Sequence, residues 1–394
     1  MFAFGQATYV LIVFFMILAL GYLIGRIEIK GVGLGSAAVF LVALVFGHLH
    51  TAFPDTIFGV DLPKLLQNLG LVFFVTSVGL IAGPNFFRNL KANAKSYVLL
   101  GLVIILSGGL VCFAITKLTG IDAALSAGLL SGALTSTPGF AAAKAAAGEL
   151  RENLVSVGNG VAYPFGVIGV VLFVQLMPKI LRANMVEERK KISVSPAAEE
   201  TKKEKKLLKA LFSAEPFGLL PVSLAILVGI VLGAVTIPMP GGSSFSLGNT
   251  GGPLIAALVI GHFGRISRLN MQVPKETSKL LRELGLVMFL AGAGFEGGKE
   301  FVSILAQEGP ILFVYGAIMT LVPMLIGYFF AAKVLKLTLL NNMGSITGGM
   351  TSTPALGTLI SSAGTDDVAA AYAATYPIAL VSVILISQFV VLLG

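Results

Sequence analysis

The chain has 394 residues, of which 56% are hydrophobic and 12% are charged, and its formal net charge is +8. Its mean hydropathy of +0.93 excludes an ordinary water-soluble globular domain, which has no use for so much apolar surface. The lone cysteine, Cys112, excludes an internal disulfide and a metal site built from several cysteines.

Five apolar stretches of the first half predict membrane spans, because they approach or exceed the length that crosses a bilayer. The third span is predicted to end at Gly83-Pro84, and a basic loop with Arg88, Lys91 and Lys95 is expected to follow. Because basic residues lie in such short segments between spans, they report membrane topology and do not indicate nucleic-acid binding. The five predicted spans are residues 7–25, 34–46, 65–82, 97–116 and 155–177.

A polar tetrapeptide interrupts the apolar pattern between the fourth and fifth spans. The sequence Thr-Ser-Thr-Pro occupies residues 135–138 inside an apolar segment of residues 123–148, and it recurs 216 residues later at 351–354. Proline has no N–H and disfavours a helical conformation in the preceding residue, so a helix is expected to stop at each copy. Backbone freed from a helix at membrane depth is tolerated only where protein buries it or a water-filled cavity lines it. The two copies therefore predict two halves of one binding site.

The second half of the chain repeats the first in order. Tyr376, which precedes a proline, corresponds to Tyr163, and Gln388 corresponds to Gln175 at the same separation. Several paired glycines also recur at matched positions. A duplication of this extent predicts two membrane repeats.

The predicted domains are a first membrane repeat at residues 1–178, a charged cytoplasmic linker at 179–214 and a second repeat at 215–394. The linker contains TKKEKKLLK, so we expect a solvated connector with a short amphipathic helix near residues 205–212. A lipid-sensing or ligand-sensing role is the alternative for this segment.

The positions of the charges orient the predicted spans, because lysine and arginine prefer cytoplasmic loops. The pattern fits if both termini lie outside and if each break segment enters and leaves on one side as a re-entrant hairpin. About 26 residues make two half-helices, each too short to span the bilayer. Five spans and one hairpin in each half invert the second half relative to the first. The predicted fold is an all-α polytopic membrane protein with two inverted-topology repeats, about 10 transmembrane helices and two hairpins whose tips meet near the midplane.

The residues at the two breaks are the main candidates for substrate binding. Their hydroxyl groups can donate and accept hydrogen bonds, and the start of each second half-helix offers free N–H groups that suit a carboxylate. The helix ends that precede the breaks offer carbonyls that suit a cation, so a coupling ion, sodium or a proton, is expected if transport is ion-coupled. No other cofactor is predicted, and the alternative is that each break is a structural kink. The candidates are Thr135, Ser136, Thr137, Pro138 and Gly139 in the first copy and Thr351, Ser352, Thr353, Pro354 and Ala355 in the second.

Three further candidates lie outside the breaks. Tyr163 and Tyr376 precede prolines inside a span, where they either contact substrate or pack at the kink. Lys144 lies on the second arm of the first hairpin, and Ile360 stands at the corresponding position of the second. The ammonium of Lys144 either pairs with an anionic substrate or reaches the surface beside Glu149.

Three motifs together carry a family resemblance: the paired Thr-Ser-Thr-Pro segments, SVGLIAGPNFF at residues 77–87 and SLGNTGGPLIAALVIGH at residues 246–262. With these motifs the chain resembles the aspartate–alanine exchanger family of bacterial secondary transporters. The resemblance implies exchange of small amino acids or dicarboxylates across a bacterial inner membrane, with both termini external. Typical members carry large soluble regulatory domains between their halves, whereas this chain has about 30 linker residues there, too few for a domain.

These patterns predict a secondary transporter of small anionic or zwitterionic solutes that works by exchange or ion coupling. Elevator-type alternating access would move a two-hairpin core against a scaffold of other spans, and we expect the scaffold to form a homodimer in the lipid bilayer. The alternatives are a channel and a sensor that binds without flux. A membrane-embedded enzyme has little support, because the sequence has no nucleophile–base set, phosphate-binding loop or metal-ligand spacing.

Overall fold

The computed structural model describes residues 5–29, 32–33, 35–193, 215–238, 244–308 and 310–393. These residues are mostly helical, as expected of apolar segments that must satisfy their backbone hydrogen bonds internally. The predicted amphipathic helix near residues 205–212 lies outside the described residues. The first-half helices are α1 (Gln6–Gly25), α2 (Ala37–Ala52), α3 (Lys64–Thr119), α4 (Ala123–Ala133), α5 (Thr137–Ala147), α6 (Glu152–Ile180) and α7 (Met185–Ser193). The second-half helices are α8 (Leu219–Ala234), α9 (Gly248–Phe263), α10 (Lys275–Glu308), α11 (Ile311–Lys333), α12 (Leu339–Gly349), α13 (Thr353–Ala363) and α14 (Val368–Leu393).

Short antiparallel strand pairs occupy three of the connections, and a 3₁₀ turn, Ile57–Gly59, precedes α3. The pairs are β1 (Glu28–Ile29) with β2 (Val32–Gly33), β3 (Thr236–Pro238) with β4 (Ser244–Ser246), and β5 (Arg265–Ile266) with β6 (Leu269–Asn270).

Six stretches of the described chain are long and apolar enough to cross a membrane, which confirms the prediction of an all-α multi-pass membrane protein. Shorter apolar helices of 10–17 residues include α2, α8 and α9, and α10 is long but carries more charge. The figure of about ten spans therefore stays a prediction. The six stretches are Gln6–Gly25, Lys64–Pro84, Ala94–Thr119, Leu154–Ile180, Ile311–Lys333 and Val368–Leu392.

The prediction that the helix ends at Gly83-Pro84 is wrong, because α3 extends from Lys64 to Thr119, although its two apolar stretches, Lys64–Pro84 and Ala94–Thr119, remain separate candidate spans. An internal proline removes one hydrogen-bond donor and kinks a helix, but the helix can resume beyond it. The segment NFFRNLKANAK that follows contains no glycine and no second proline, so its helical cost is small. Basic charge thus marks a segment between two apolar stretches without ending the helix.

The helices pack in two groups. The scaffold group contains α1, α2, the first part of α3, α8, α9 and α10, and Gly70 of α3 lies directly against the backbone of Phe289 in α10. The core group contains the later part of α3, α4, α5, α6 and α11 to α14, and Gly101 of α3 lies against Thr375 in α14. Helix α3 therefore belongs to both groups and connects them.

Helix α4 runs parallel to the first part of α6. Gly128 lies against Val155, and Gly132 lies against Asn159 four residues further along. A Cβ atom on Gly128 would lie 2.2 Å from the carbonyl oxygen of Val155, so only glycine permits this approach. Helix α5 connects the end of α4 to the start of α6. Because α4 and α6 run in the same direction, α5 must run back toward the end of the molecule where α4 began.

The second half repeats this arrangement. Gly344 of α12 lies against Val368 of α14, and Gly348 lies against Tyr372, so these helices also run parallel. Helix α13 therefore returns toward the start of α12. We call α4 and α5 the first helix pair, and α12 and α13 the second helix pair.

The open ends of the two helix pairs lie at opposite ends of α6. At the first pair, Asp122 before α4 and Arg151 after α5 form an ion pair of 3.9 Å, and Lys144 pairs with Glu152 at the start of α6. At the second pair, Leu339 at the start of α12 lines a cavity of about 280 Å³ together with Leu181, which follows the end of α6. The two pairs consequently enter the core from opposite ends.

A four-residue charge cluster joins α10 to the segment before α3. Lys299 lies 2.7 Å from Asp61 and 3.0 Å from Glu296, and Lys64 lies 3.7 Å from Glu296. Partial burial lowers the pKa of the Lys299 ammonium, but hydrogen bonds to Asp61 and Glu296 outweigh it and leave the pKa raised. Lys299 therefore stays charged and ties the two segments together at one end of the scaffold group.

Candidate functional site

The first Thr-Ser-Thr-Pro break is a helix end followed at once by a helix start. Thr135 adopts a left-handed conformation with φ of 51°, and the N–H groups of Thr135 and Ser136 bond back to the carbonyls of Gly132 and Ser131. This pattern of a left-handed residue with two backward bonds satisfies the last carbonyls of α4, and glycine usually fills the left-handed position. Helix α5 then begins at Thr137 with Pro138 in its first turn, as predicted.

The second break has the same backbone. Thr351 has φ of 49°, and the N–H groups of Thr351 and Ser352 bond to the carbonyls of Gly348 and Thr347. A β-branched residue in this conformation is a true outlier, so its occurrence at both matched positions indicates a shared constraint.

The two breaks meet inside the core group. The hydroxyl of Thr135 donates to the carbonyl oxygen of Met350 at 3.1 Å, and the hydroxyl of Thr351 donates to the carbonyl oxygen of Leu134 at 2.8 Å. Thr135 and Thr351 are both buried, with 9% and 5% of their surface exposed. Each threonine therefore closes the helix end that belongs to the other pair, and the arrangement has approximate two-fold symmetry.

The starts of α5 and α13 differ in their capping. The side-chain oxygen of Ser136 accepts a hydrogen bond from the N–H of Gly139 at 3.2 Å. The corresponding oxygen of Ser352 is buried and has no partner among the described residues. The two halves of the site are thus alike in backbone but not in side-chain bonding.

The other residues predicted within the breaks lie at the same place. Pro138 is half-buried, whereas Pro354 and Ala355 are buried in the second helix pair. The hydroxyl oxygen of Thr353 lies 3.5 Å from that of Tyr372. Thr137 begins α5, and its side chain lies outside the described part of the structure.

The two predicted tyrosines lie on helices that pack against the helix pairs. Tyr376 is buried, and its ring stacks on Tyr372 with 5.3 Å between the centroids. Tyr163 is half-buried, and its ring lies 6.2 Å from that of Phe40 in α2. Tyr163 is therefore one point where the core group meets the scaffold group.

Lys144 lies away from the meeting point of the breaks. Its ammonium is 3.4 Å from a carboxylate oxygen of Glu152 and 5.6 Å from the centre of the Phe140 ring. It lies seven residues beyond Thr137, roughly 10 Å along the axis of α5. In this conformation Lys144 pairs with Glu152 rather than with Glu149, near the open end of the first helix pair.

Two residues of α14 lie beside the breaks but were not predicted. Tyr372 contacts Thr353, and Ser387 lies beside Gly139 at the start of α5. Tyr372 corresponds to Asn159 in the first repeat, and Ser387 corresponds to Val174. Both matched positions therefore differ between the two repeats. A change from an apolar to a polar residue between matched positions could have identified Ser387.

The chemistry available at this place is hydrogen bonding and helix-end polarity. Two helix starts and two helix ends converge, and serine and threonine hydroxyls surround them. Within the ranges that the structure describes, no group of three histidine, cysteine, aspartate or glutamate side chains is placed to hold a metal ion. The arrangement can bind a small polar solute without a formal charge of its own.

Comparison with known proteins gives consistent matches along both halves. The family model described as the predicted permease membrane region matches residues 13–179 and 221–392. An uncharacterized transporter of Bacteroides fragilis is 30% identical over 526 aligned positions, which cover 95% of this chain and 97% of that protein. A protein of Bacteroides thetaiotaomicron, also named an uncharacterized transporter, is 28% identical, and the alignment covers 95% of this chain and 97% of that protein. An uncharacterized transporter of Geobacter sulfurreducens is 27% identical, and the alignment covers 96% of this chain and 97% of that protein. Because 526 positions exceed the 394 residues of this chain, the Bacteroides fragilis protein has more than a hundred residues that this chain lacks.

Proposed function

The chain belongs to the family described as the predicted permease membrane region, and from this premise we propose that it is a secondary active transporter of small carboxylate-bearing solutes. Amino acids and dicarboxylates are the proposed substrates, in keeping with its resemblance to the aspartate–alanine exchangers. The observation that carries the proposal is the reciprocal bonding of the two breaks, in which Thr135 and Thr351 bind the helix ends of opposite pairs.

We propose that the two helix pairs are re-entrant hairpins of inverted repeats. The parallel course of α4 and α6, and of α12 and α14, supports a path in which each pair enters and leaves on one side. The opposite placement of the two open ends along α6 supports the inversion, and the two separate matches to one family model support the duplication. Both termini would then face the periplasm of a bacterial inner membrane, and the linker at 179–214 would face the cytoplasm.

Alternating access by an elevator-type movement is the mechanism that this packing favours. The site lies wholly in the core group, whereas the scaffold group packs through its own close glycine contacts. The core group could therefore move as one body and carry its site past the scaffold. We further propose that the scaffold group forms a homodimer. The outward faces of α1 and α8 carry large apolar side chains that suit lipid or a partner subunit, among them Phe15, Leu23, Leu227 and Val231.

The residues proposed to contact the solute are those of the two breaks. The N-termini of α5 and α13 are the two positions that would suit its carboxylate, and the C-termini of α4 and α12 would face its cationic group or a coupling cation such as sodium. Tyr163 and Tyr376 would border this space. Lys144 would contact the solute only in a conformation where its bond to Glu152 is released.

A counterflow experiment in proteoliposomes tests the function. Vesicles preloaded with unlabelled L-aspartate, L-alanine or succinate would be diluted into the same labelled solute, and an exchanger should show saturable uptake that internal solute accelerates. The matched control is protein-free vesicles, in which the labelled solute should not accumulate. Absence of accelerated uptake for all three solutes would contradict the proposal of exchange.

The same vesicles distinguish the alternatives. A channel would pass solute without saturation at these concentrations and without acceleration by internal solute. A sensor would be stabilised against heat by a solute, as expected for a ligand that binds the folded form, yet would give no uptake at all.

A further inference from the structure

Ser387 has a hydroxyl group whose position calls for an explanation. It is fully buried on α14, and within the described residues its oxygen has no hydrogen-bond partner. Some buried hydroxyls on these helices bond back to a carbonyl of their own helix, as Thr375 does to Ala371 and Thr116 does to Cys112, whereas others, such as those of Ser126 and Ser345, share with Ser387 the lack of a partner among the described residues. A buried hydroxyl without a partner costs free energy, so a hydroxyl directed away from its own helix indicates an absent partner.

The hydroxyl of Ser387 is directed at the N-terminus of α5. A Cβ atom on Gly139 would lie 3.2 Å from the oxygen of Ser387 and also 3.2 Å from the oxygen of Ser136. Even a methyl group would be crowded there, so glycine lets α14 approach the start of α5 closely, with both hydroxyls next to the same point. Any larger residue there would also meet Val383, 2.9 Å from the same Cβ position.

Both hydroxyls can donate a hydrogen bond to a group at the start of α5. Ser136 uses its oxygen to accept from the N–H of Gly139, which leaves its own proton free. Ser387 has both its proton and its lone pairs available. Two donors beside a helix N-terminus with its partial positive charge match the two oxygens of a carboxylate.

The second helix pair lacks this combination. Residues of the two repeats correspond so that Ala355 stands where the first repeat has Gly139, and Val174 of α6 stands where the second repeat has Ser387. Ser352 is unpaired as well, but the methyl group of Ala355 and the apolar Val174 replace the glycine and the second hydroxyl. The near-symmetric backbone thus presents one polar helix start and one more apolar helix start.

We infer that Ser387 is a substrate-contacting residue and that the carboxylate of the solute binds on one side only, at the start of α5 between Ser136 and Ser387. This inference rests on the proposed transport function and adds to it the orientation of the solute. The solute is a monocarboxylate, or a larger acid bound through one of its carboxylates at this position. Exchange of the corresponding residues between the repeats provides a matched test.

The first measurement is the KM of counterflow in proteoliposomes, with whichever of L-aspartate, L-alanine and succinate the unmodified protein carries. Ser387→Ala should raise the KM about tenfold or more, as loss of a hydrogen bond to a charged group implies. Val174→Ser, the matched control in the first repeat, should leave the KM unchanged. A wild-type KM in Ser387→Ala, with transport lost on changes at Thr135 or Thr351, would overturn the inference while the transport function stands.

The second measurement does not depend on flux. A cysteine introduced at position 387 is followed in a Cys112→Ala background, which removes the native thiol. Ser387 is buried in this conformation, so a small hydrophilic methanethiosulfonate reagent should modify Ser387→Cys only when the site opens during transport. Each of the same three solutes that binds should slow this modification, whereas Val174→Cys should show no protection. Equal behaviour of the two cysteines, or no protection at either, would overturn the inference. Protection without uptake would instead uphold the binding position and refute the transport function.

Discussion

Thr135 and Thr351 bind to each other's helix ends. The hydroxyl of Thr135 reaches the carbonyl of Met350, and the hydroxyl of Thr351 reaches that of Leu134. Both threonines hold left-handed backbone angles, which cost a residue with a Cβ atom about 1–2 kcal/mol. Glycine would avoid this cost but could not supply a hydroxyl. The reciprocal bonds therefore account for threonine at two positions where a helix end usually has glycine.

Removal of the two hydroxyls should weaken the junction of the breaks. We expect Thr135→Val and Thr351→Val each to destabilise the protein by about 1–2 kcal/mol, since each leaves a buried carbonyl without its donor. The double variant should differ from the sum of the single changes, because the two bonds share one contact. Thermal unfolding in detergent measures the stability, and counterflow measures the effect on transport.

Thr116→Val is the matched control for this pair. Thr116 is equally buried, but its hydroxyl bonds to Cys112 in its own helix. It should keep full transport. If transport by Thr135→Val and Thr351→Val equalled that of Thr116→Val, the junction of the breaks would have no role in binding.

Close packing of α4 on α6 gives a second prediction. A Cβ atom at Gly128 would lie 2.2 Å from the carbonyl oxygen of Val155, so Gly128→Ala must push the helices apart, at a cost of about 1–3 kcal/mol. Gly297 has no atom within 4 Å of its Cβ position, so Gly297→Ala should be neutral or slightly stabilising. Equal melting temperatures for these two variants would contradict the packing described here.

The sequence predicted the positions of the two breaks better than the bonds between them. Proline, hydroxyl groups and duplication are local signals, so both breaks could be placed from residues 135–138 and 351–354. The bond from Thr135 to Met350 joins residues 215 apart in the chain, and its presence depends on how the two pairs cross. Ser387 was missed because one serine in an apolar helix is ordinary until its neighbour, Gly139, is known.

The fold shows the same difference between features with a local sequence signal and features that depend on distant contacts. Apolar length identified the long helices, because a membrane span requires it. The continuity of α3 was not predicted, since a proline and a basic run indicate a loop in water-exposed sequence but do not force one. Lys144 was open to two interpretations, because its partner Glu152 lies across a turn whose path the sequence does not define.

The proposed topology predicts which loops are reached from each side of the membrane. Leu150, between α5 and α6, is 98% exposed, and Phe217, before α8, is 63% exposed. A membrane-impermeant maleimide should label Leu150→Cys on intact cells, but should label Phe217→Cys only in inverted vesicles. Unmodified protein, whose Cys112 is buried, is the control for background labelling. Labelling of both positions from one side would contradict the inverted arrangement.

Movement of the core group against the scaffold group can be tested at Arg282 and Asp366. Arg282 is on α10 in the scaffold group, Asp366 follows α13 in the core group, and their side chains form a partly buried ion pair. If transport moves one group past the other, this pair must open in each cycle. A bifunctional methanethiosulfonate cross-linker that joins Arg282→Cys to Asp366→Cys should therefore stop counterflow, and dithiothreitol should restore it. Asp122 and Arg151 also form an ion pair, but both lie within the core group. The same cross-linker between cysteines at those two positions should leave transport intact, because the segments it joins move together. Complete cross-linking of 282 to 366 with undiminished counterflow would rule out an elevator-type movement between these groups.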